Sequence, residues 1–245
     1  MRIALISDIH GNLAALEAVA KDIRRRGVDQ IVNLGDCISG PLLPLETAQY
    51  LMAEGWLCLA GNHERQMLSQ GPQPKSASDA YALAQLTAKE RAWLAALPAT
   101  LRFSPEVFLC HGTPGSDAEY MLETVESGIA RVATRSEIDA RLGSEASPLV
   151  ACGHTHVPRA VRSRRGQLIV NPGSVGRQAY DDTLPMPHAV ETGSPDARYA
   201  IIEKQPAGWI ASLLAVPYNH ASMARLAKLR DRPEWEYALM TGYMP

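Results

Sequence analysis

The sequence predicts an α/β protein in which parallel strands alternate with helices. Residues 2–7 (RIALIS), 30–35 (QIVNLG) and 56–61 (WLCLAG) are short apolar runs with the length of buried strands. Between them lie two segments with apolar residues at helical spacing, residues 11–27 and 44–55. The order β-α-β-α-β is typical of parallel strand pairing with right-handed crossovers.

The first helix has a start signal and a stop signal. Asn12 is a suitable N-cap, because its side chain can accept a hydrogen bond from the backbone of the first turn. Leu16, Val19 and Ile23 follow at helical spacing, and Gly27 is a typical residue beyond a helix C-terminus. The sequence therefore predicts a helix between Asn12 and Gly27.

The rest of the chain predicts a loop, more helical material and more strands. Residues 71–80 (GPQPKSASDA) indicate the loop, and residues 81–98 indicate the helical part. Further strands are predicted in residues 106–112, 148–156, 198–204 and 209–218, with a hairpin over residues 159–173. Residues 180–197 are rich in Pro, Gly and Asp and predict a loop insert, and residues 217–245 predict a helical tail. With 245 residues, of which 46% are hydrophobic, we expect a single domain over residues 1–245.

The composition argues against several classes of function. A net charge of −2 provides no basic surface for nucleic acid. No apolar stretch is long enough to span a membrane, and MRIALIS is too short an apolar run for a signal peptide. The cysteines, Cys37, Cys58, Cys110 and Cys152, form no C-x-x-C pair, as is typical of a reduced intracellular protein. We therefore expect a cytoplasmic protein that binds neither membrane nor nucleic acid.

Polar side chains follow five of the predicted strands, namely Asp8 and His10, Asp36, Asn62 and His63, His111, and His154 and His156. Ligands of open α/β sheets bind beyond the carboxyl ends of the strands, so these side chains should converge. His154 and His156 leave an extended strand on the same side. A lone H-x-H pair is equally compatible with two solvated histidines, but His or Asp after five separate strands indicates a metal centre.

The ligand types narrow the metal chemistry. Carboxylate, imidazole and amide oxygen without thiolate suit Mn, Fe, Co, Ni or Zn. Seven candidate ligands are too many for one ion. They suit two divalent ions that share one carboxylate. Two ions about 3.5–4 Å apart are a standard device for in-line displacement at phosphorus. The sequence therefore predicts a binuclear site for an anionic phosphate ester.

The same residues form ordered motifs that resemble a known family. The motifs are D-x-H at residues 8–10, G-D at 35–36, G-N-H-E at 61–64, H-G at 111–112, G-H-T-H at 153–156 and N-P-G-S at 171–174. In this order they resemble the calcineurin-like metallophosphoesterase superfamily, and most closely its small bacterial and archaeal phosphodiesterase-like branch. The resemblance implies a four-layer α/β/β/α sandwich with a binuclear metal site at the carboxyl-terminal rim of the strands.

The resemblance also implies a role for each motif residue. The ligands divide into a first metal set (Asp8, His10 and His156), a second metal set (Asn62, His111 and His154) and a bridge between the metals (Asp36). His63 is implied to be a catalytic residue that is not a ligand and that protonates or stabilises the leaving oxygen. The alternative for His63 is a structural role in orienting Asn62. Glu64 is interpreted as a first-turn acid that the helix dipole favours.

The sequence departs from the protein serine/threonine phosphatases of that superfamily. Ser39 and Gly40 stand where those enzymes have Asp and Arg, and Ala60 stands where they have a second Arg. Those arginines bind a terminal phosphate as bidentate clamps, so a phosphoprotein phosphatase is disfavoured. The nearest replacement is Arg177, just after the N-P-G-S turn, which we interpret as a substrate-binding residue.

The resulting hypothesis is metal-dependent hydrolysis of a small anionic phosphate ester, with a preference for diesters. The resemblance implies in-line attack by a hydroxide that bridges the metals. A phosphomonoesterase or a dinucleoside polyphosphate hydrolase would use the same site. A non-catalytic metal-binding scaffold is the alternative from a different class, and hydrolysis of a chromogenic ester together with bound metal would distinguish it.

Two features lie outside these motifs. The tail contains Leu226, Leu229 and Trp235 and is too apolar to stay free in solvent. We expect it to dock on the core of its own chain, and a homodimer contact or a flap near the site are the alternatives. His188 and His220 are interpreted as solvated residues or partner contacts.

Overall fold

The computed structural model describes residues 1–69 and 76–245, and over these residues the chain forms three β-sheets and eight helices. The helices are α1 (Leu13–Arg26), α2 (Pro44–Glu54), α3 (Asn62–Leu68), α4 (Ala77–Gln85), α5 (Ala88–Ala95), α6 (Arg135–Leu142), α7 (His220–Leu229) and α8 (Pro233–Thr241). The strands are β1 (Arg2–Ile6), β2 (Gln30–Asn33), β3 (Leu57–Cys58), β4 (Thr100–Ser104), β5 (Val107–Cys110), β6 (Glu123–Glu126), β7 (Ile129–Val132), β8 (Leu149–Ala151), β9 (Arg159–Arg162), β10 (Leu168–Asn171), β11 (Ala179–Asp182), β12 (His188–Glu191), β13 (Ala197–Gln205) and β14 (Gly208–Val216).

The first sheet confirms the β-α-β-α-β order predicted for the amino-terminal part of the chain. Its strands β1, β2 and β3 are parallel, with Leu5 opposite Val32 and Val32 opposite Leu57. Antiparallel β13 and β14 extend this sheet beyond β1, which gives the strand order β14-β13-β1-β2-β3. Helix α1 begins after Asn12, whose side chain caps the first turn, and ends at Gly27, as predicted.

The second sheet has the strand order β4-β5-β8-β10-β9 and packs face to face on the first. Its strands β5, β8 and β10 are parallel, and the hairpin predicted over residues 159–173 is the antiparallel pair β9–β10. Side chains alternate along β8, where Leu149 and Ala151 pack toward the first sheet and Val150 packs on the outer face. The main apolar core therefore lies between the two sheets.

Helices cover the outer face of each sheet. Leu16 and Ile23 of α1 pack in one apolar cluster with Ile6 of the first sheet. Ile138 of α6 packs in another cluster with Val150 of the second sheet. These layers form the four-layer α/β/β/α sandwich, so the predicted fold class is confirmed.

A third sheet, with the order β11-β12-β7-β6, lies outside the sequence prediction. The prediction of a loop insert at residues 180–197 is wrong, because β11 and β12 form an antiparallel hairpin there, with Tyr180 opposite Val190. The residues typical of loops are concentrated between and after these strands, at residues 183–187 and 192–196. Buried and exposed residues alternate along β12, which is the pattern of a strand with one buried face.

The region predicted as helical over residues 81–98 contains α5 and the end of α4. Thr87 separates these helices, because it caps α5 and forms a capping box with Glu90. Of the loop predicted at residues 71–80, residues 71–75 lie outside the described residues, and α4 already begins at Ala77.

The tail helices α7 and α8 pack on the core of their own chain. Trp235 and Leu239 of α8 are buried in a cluster with Met223 of α7 and Leu42 of the loop before α2. This contact buries Trp235 and Leu239, whereas Leu229, Tyr237, Met240 and Tyr243 of the tail stay exposed. Within residues 1–69 and 76–245, no helix combines the length and the apolar character needed to cross a membrane.

Candidate metal centre and active site

The residues predicted as metal ligands lie together where the strand ends of the first two sheets meet. They are Asp8 and His10 after β1, Asp36 after β2, Asn62 at the start of α3, His111 after β5, and His154 and His156 after β8. Six of them form two groups whose donor atoms lie within 4.8 Å of one another, Asp8 with His10 and His156, and Asp36 with His111 and His154. The first group is the first predicted metal set, and the second contains His111 and His154 of the second set together with the predicted bridge Asp36.

The loops that carry these residues have an unusual backbone. Seven non-glycine residues in the described part of the chain have positive φ angles, and five of them are candidate ligands: Asp8, His10, Asp36, His154 and His156. This left-handed conformation costs about 1 kcal/mol or more per residue, so it persists only where the fold imposes it. Hydrogen bonds between the two loops impose it here, from Asp8 N to Gly35 O and from His10 N to Asp36 O, both at 3.0 Å. Asp and His also adopt this conformation more readily than most residues.

Three histidines direct one ring nitrogen into the centre and bind the backbone with the other. Each Nδ1 faces a carbonyl oxygen, with His10 on Ser39 at 2.7 Å, His156 on Arg177 at 2.7 Å and His111 on Leu34 at 2.9 Å. A carbonyl only accepts, so each Nδ1 donates its proton and Nε2 is the ring nitrogen available to a metal. The Nε2 atoms of His10 and His156 are 3.1 Å apart, and a cation would stabilise two nitrogens that face each other with lone pairs. Burial disfavours a charge on His111, but Asp36 outweighs it and raises the pKa of His111 to about 10, so a metal ion would bind His111 by displacing the Nε2 proton.

The carboxylates complete the two groups. Asp8 Oδ1 lies 3.3 Å from His156 Nε2 and is buried without a hydrogen-bond partner among the described residues. Asp36 Oδ2 lies 3.2 Å from His111 Nε2, and the Asn62 amide oxygen lies 3.1 Å from the same nitrogen. An unpaired buried carboxylate oxygen is unfavourable, and a divalent cation would satisfy it. The donor set therefore fits the divalent ions that the sequence predicts.

Burial and neighbouring charges set the protonation of these ligands. Burial and the neighbouring His156 lower the pKa of His10 to about 3. Burial and the neighbouring His111 lower the pKa of His154 to about 4. Burial opposes ionisation of Asp8, but His156 and His111 together outweigh it and lower the pKa of Asp8 to about 2. At neutral pH, two neutral imidazoles and an ionised carboxylate are the forms that bind metal.

Glu64 connects two of the ligand-bearing segments. Its buried carboxylate accepts hydrogen bonds from the backbone N–H groups of Asp36 at 2.9 Å, Cys37 at 2.9 Å and Gly61 at 2.8 Å. These bonds join the loop after β2 to the start of α3 and hold Asp36 near Asn62. Glu64 does stand in the first turn of α3, but its contacts give it a larger structural role than a favourable helix-dipole interaction.

His63 lies beside the metal ligands, with its Nε2 4.0 Å from Asp36 Oδ2. Its Nδ1 donates to Asp79 Oδ1 at 2.8 Å, and the same oxygen accepts from the Ser39 hydroxyl at 2.7 Å. Burial disfavours a charge on His63, but Asp36 and the hydrogen bond to Asp79 outweigh it and raise the pKa of His63 to about 9. The imidazole is therefore protonated at neutral pH, the form that a general acid requires.

Arg177 borders the site next to the tail. Its guanidinium carbon lies 4.3 Å from the ring centre of Trp235 and 5.7 Å from that of Tyr180. Its Nε is buried and has no hydrogen-bond partner in the described part of the chain. Burial lowers the pKa of Arg177 to about 10, so the group stays charged at neutral pH. Aromatic rings thus hold a cation with an unpaired donor beside the metal ligands.

Two neighbouring cavities open onto the site and share Asn62, Gln66, His154 and Asp182 in their linings. The metal-side cavity measures about 350 Å³ and is lined by most of the candidate ligands together with His63, Arg177 and Arg232. The adjoining cavity measures about 620 Å³ and is lined by apolar, neutral polar and acidic side chains and by one arginine. Arg232 comes from the tail. Its guanidinium donates hydrogen bonds to Glu234 of α8 and to the Ser78 hydroxyl of α4.

The structure contradicts the interpretation of His188 as a solvated residue or partner contact. His188 is buried, and its Nε2 lies 3.0 Å from the hydroxyl of Tyr120, which lies 2.7 Å from the hydroxyl of Tyr180. The ring of Tyr120 packs against that of His154, with centres 5.2 Å apart. His188 therefore supports a ring that packs on a candidate ligand. His220 is half-buried at the first position of α7.

Asp79 and Arg232 are the site residues that the sequence analysis missed. Asp79 lies in the first turn of α4 after the N-cap Ser76, a common place for an acid that only stabilises a helix. Arg232 is one of many charged residues in the tail. The sequence held one indication of them. Ser39 and Gly40 stand where the related phosphatases have Asp and Arg, so an acid and an arginine at this site would have to come from other segments of the chain.

Comparison with known proteins supports the resemblance noted in the motifs. A family model described as the calcineurin-like phosphoesterase superfamily domain matches residues 1–190. An uncharacterized protein of Methanocaldococcus jannaschii, MJ0912, is 28% identical over 248 residues, which cover 95% of this chain and 94% of that protein. The crystal structure of a metallophosphoesterase from Sphaerobacter thermophilus covers 98% of both chains, with 27% identity and a TM-score of 0.76. Hypothetical protein PH1004 from Pyrococcus horikoshii, at 17% identity, shares the fold over 100% of this chain and 99% of its own, with a TM-score of 0.78. This chain belongs to the calcineurin-like phosphoesterase superfamily.

Proposed function

We propose that this protein hydrolyses phosphate esters with the help of two divalent transition-metal ions. The observation that carries the proposal is the pair of ligand groups, in which buried histidines direct their Nε2 atoms toward the carboxylates of Asp8 and Asp36. The first ion would be held by Asp8, His10 and His156, the second by Asn62, His111 and His154, and both by Asp36. When bound, the ions supply positive charge to the phosphate oxygens and make hydroxide available at neutral pH.

The leaving group is handled by residues of the chain itself. His63 gives the proton of its Nε2 to the leaving oxygen, which would otherwise depart as a strongly basic anion. Asp79 binds the Nδ1 proton of His63 at 2.8 Å and so keeps the ring turned toward the substrate. The high pKa of His63, about 9, keeps that proton in place at neutral pH.

We further propose a preference for diesters over monoesters. A terminal phosphate carries a second negative charge, and proteins bind it with additional cationic donors. Arg177 and Arg232 are the arginines among the described residues that line the metal-side cavity, and Arg232 is already paired with Glu234 at 2.6 Å. Arg177 lines the cavity and forms no ion pair with the described residues, so it is left for the substrate. One available arginine suits the single charge of a diester at least as well as the double charge of a monoester.

The test compares two chromogenic substrates on the same preparation. The purified protein is stripped of metal, reloaded with Mn²⁺ or Co²⁺, and assayed on bis-p-nitrophenyl phosphate and p-nitrophenyl phosphate. We expect a higher kcat/KM for the diester. A clear monoester preference would overturn the diester assignment and leave the metal site standing. Full metal loading without hydrolysis of either ester would favour the non-catalytic scaffold.

Two variants separate metal binding from proton transfer. Asp36→Asn removes the shared negative ligand, so both metal content and activity should fall. His63→Asn should keep the metal content and lose turnover, because His63 is not a ligand in this proposal. Metal analysis of the two purified variants decides between these roles. Equal metal loss in both would make His63 a ligand or a structural residue.

A further inference from the structure

The adjoining cavity is large enough for one aromatic or nucleoside-sized group. Its volume of about 620 Å³ falls within the roughly 300–1,000 Å³ of typical small-molecule sites. Asn62 and His154 line it on the side of the metal centre, and Tyr120, Leu184 and Pro185 add apolar surface. The side chain of Leu184 is 73% exposed, so a ligand here would cover apolar surface that otherwise faces water.

The charged groups of this cavity leave an excess of negative charge. Its lining contains Glu119, Glu123 and Asp182 and a single arginine, Arg141. Glu123 is paired from outside the cavity by Arg159 at 2.8 Å, and Arg141 lies 3.8 Å from Glu119. Asp182 accepts hydrogen bonds from backbone N–H groups and has no cationic partner among the described residues. One carboxylate is therefore left uncompensated, and it disfavours a second anion in this cavity.

The metal-side cavity differs in its cationic side chains, because Arg177, Arg232 and His63 line it together with acidic residues that include the shared Asp182. His63 does not line the adjoining cavity. If His63 protonates the leaving oxygen, the leaving group lies in the metal-side cavity. A diester has a second ester group that stays on phosphorus, and this group needs room on another side of the metal ligands. The adjoining cavity provides that room next to Asn62 and His154.

We propose that the adjoining cavity binds the retained ester group of a diester and selects an uncharged or cationic group with a ring. This inference rests on the proposed phosphoesterase function. The apolar surface of Tyr120 and Leu184 favours a ring over a small alkyl group. The uncompensated carboxylate disfavours a retained group that carries its own negative charge, such as a second phosphate. When a monoester is hydrolysed, its single ester group is the leaving group and lies in the metal-side cavity, so hydrolysis of a monoester does not use the adjoining cavity.

The kinetic test uses diesters that share p-nitrophenol as the leaving group and differ in the retained group, which is methyl, phenyl or 4-carboxyphenyl. We expect a KM on the order of tenfold lower for phenyl than for methyl, and weaker binding of 4-carboxyphenyl than of phenyl. Ala118 is exposed and lines the cavity, so Ala118→Trp should fill it without disturbing the core. Ala53→Trp, on the exposed surface of α2, is the matched control. Ala118→Trp should remove the difference between phenyl and methyl and leave hydrolysis of p-nitrophenyl phosphate unchanged.

A binding measurement separates this inference from the proposed function. Phenyl phosphate and methyl phosphate are the products that keep the retained group, and calorimetry gives their affinities for the metal-loaded protein. We expect phenyl phosphate to bind about tenfold more tightly, with the difference lost in Ala118→Trp and kept in Ala53→Trp. This difference without hydrolysis of any ester would refute the proposed function and support the cavity as a binding site. Equal affinities in the wild type, or an Ala118→Trp protein that discriminates like the wild type, would overturn the inference.

Discussion

The contact between Asp79 and His63 leads to a quantitative prediction. Asp79→Asn keeps the size and an acceptor oxygen at this position but removes the charge that faces His63 Nδ1 at 2.8 Å. Hydrogen bonds to charged groups contribute about 1.5–3 kcal/mol. One pKa unit corresponds to about 1.4 kcal/mol, so the pKa of His63 should fall from about 9 by roughly one to two units. The same loss of orientation should lower kcat about 10–100-fold.

The pH profile gives the sign of this effect. His63 acts as an acid, so activity is present below its pKa and is lost as the pH rises through it. A lower pKa therefore moves the alkaline limb of the kcat profile of Asp79→Asn to lower pH. Ser39→Ala is the matched control, because it removes a hydrogen bond to Asp79 and leaves the carboxylate charge in place. We expect Ser39→Ala to shift the limb much less than Asp79→Asn does.

A double-mutant cycle decides whether Asp79 acts through His63. If it does, Asp79→Asn should reduce activity strongly in the wild type and hardly at all in the His63→Asn background. Metal content, measured in parallel, should be unchanged in all four proteins. Equal loss of activity in both backgrounds, or an unshifted pH profile, would refute the positioning role of Asp79.

Three further predictions follow from buried contacts. Glu64→Gln replaces an acceptor with a donor among three backbone N–H groups, so the free energy of unfolding, measured with urea, should fall by about 1–3 kcal/mol. Trp235→Ala removes a side chain that is 1% exposed, which should lower that free energy by about 3–5 kcal/mol. It should also raise KM, because Arg177 loses the ring that it packs against, and an unchanged KM would show that the ring does not hold Arg177. Arg177→Ala should raise KM for both the monoester and the diester with little change in kcat, and kinetics identical to the wild type would exclude it from substrate binding.

The convergence of the candidate ligands could be predicted because it depends on regular elements. Asp8 and Asp36 follow adjacent parallel strands, and the carboxyl ends of such strands lie at one edge of a sheet. His111 and His154 follow the parallel pair β5 and β8 of the second sheet. Face-to-face packing of the two sheets, which the family resemblance implied, then brings the two edges together.

The third sheet could not be predicted by the same reasoning, since its strands are short and lie at a distance from the main core. β6 and β7 have four residues each, too few for a clear alternation of apolar and polar residues. The sequence did contain one local signal, the Ser127-Gly128 pair between β6 and β7. Both residues have positive φ angles, as a tight hairpin turn requires. The pairing of β7 with β12 joins segments far apart in the chain, and no local pattern encodes it.

The departures at residues 39 and 40 are explained by packing of segments that the motifs do not include. A Cβ atom at Gly40 would lie 2.5 Å from His10 O and 2.9 Å from Cη2 of Trp235, so neither the loop after β1 nor the docked α8 leaves room for an arginine there. The same docking holds Arg177 against Trp235 and brings Arg232 to the cavity wall. At residue 39 a serine donates to Asp79, and the acid that contacts His63 comes from α4 instead of from the motif itself. The small residues at 39 and 40 and the polar residues contributed by α4 and the tail are therefore parts of one arrangement. A side chain at position 40 would meet the backbone of His10 as well as the ring of Trp235, so this fold leaves no place for the arginine of the phosphatases there even apart from the docked tail.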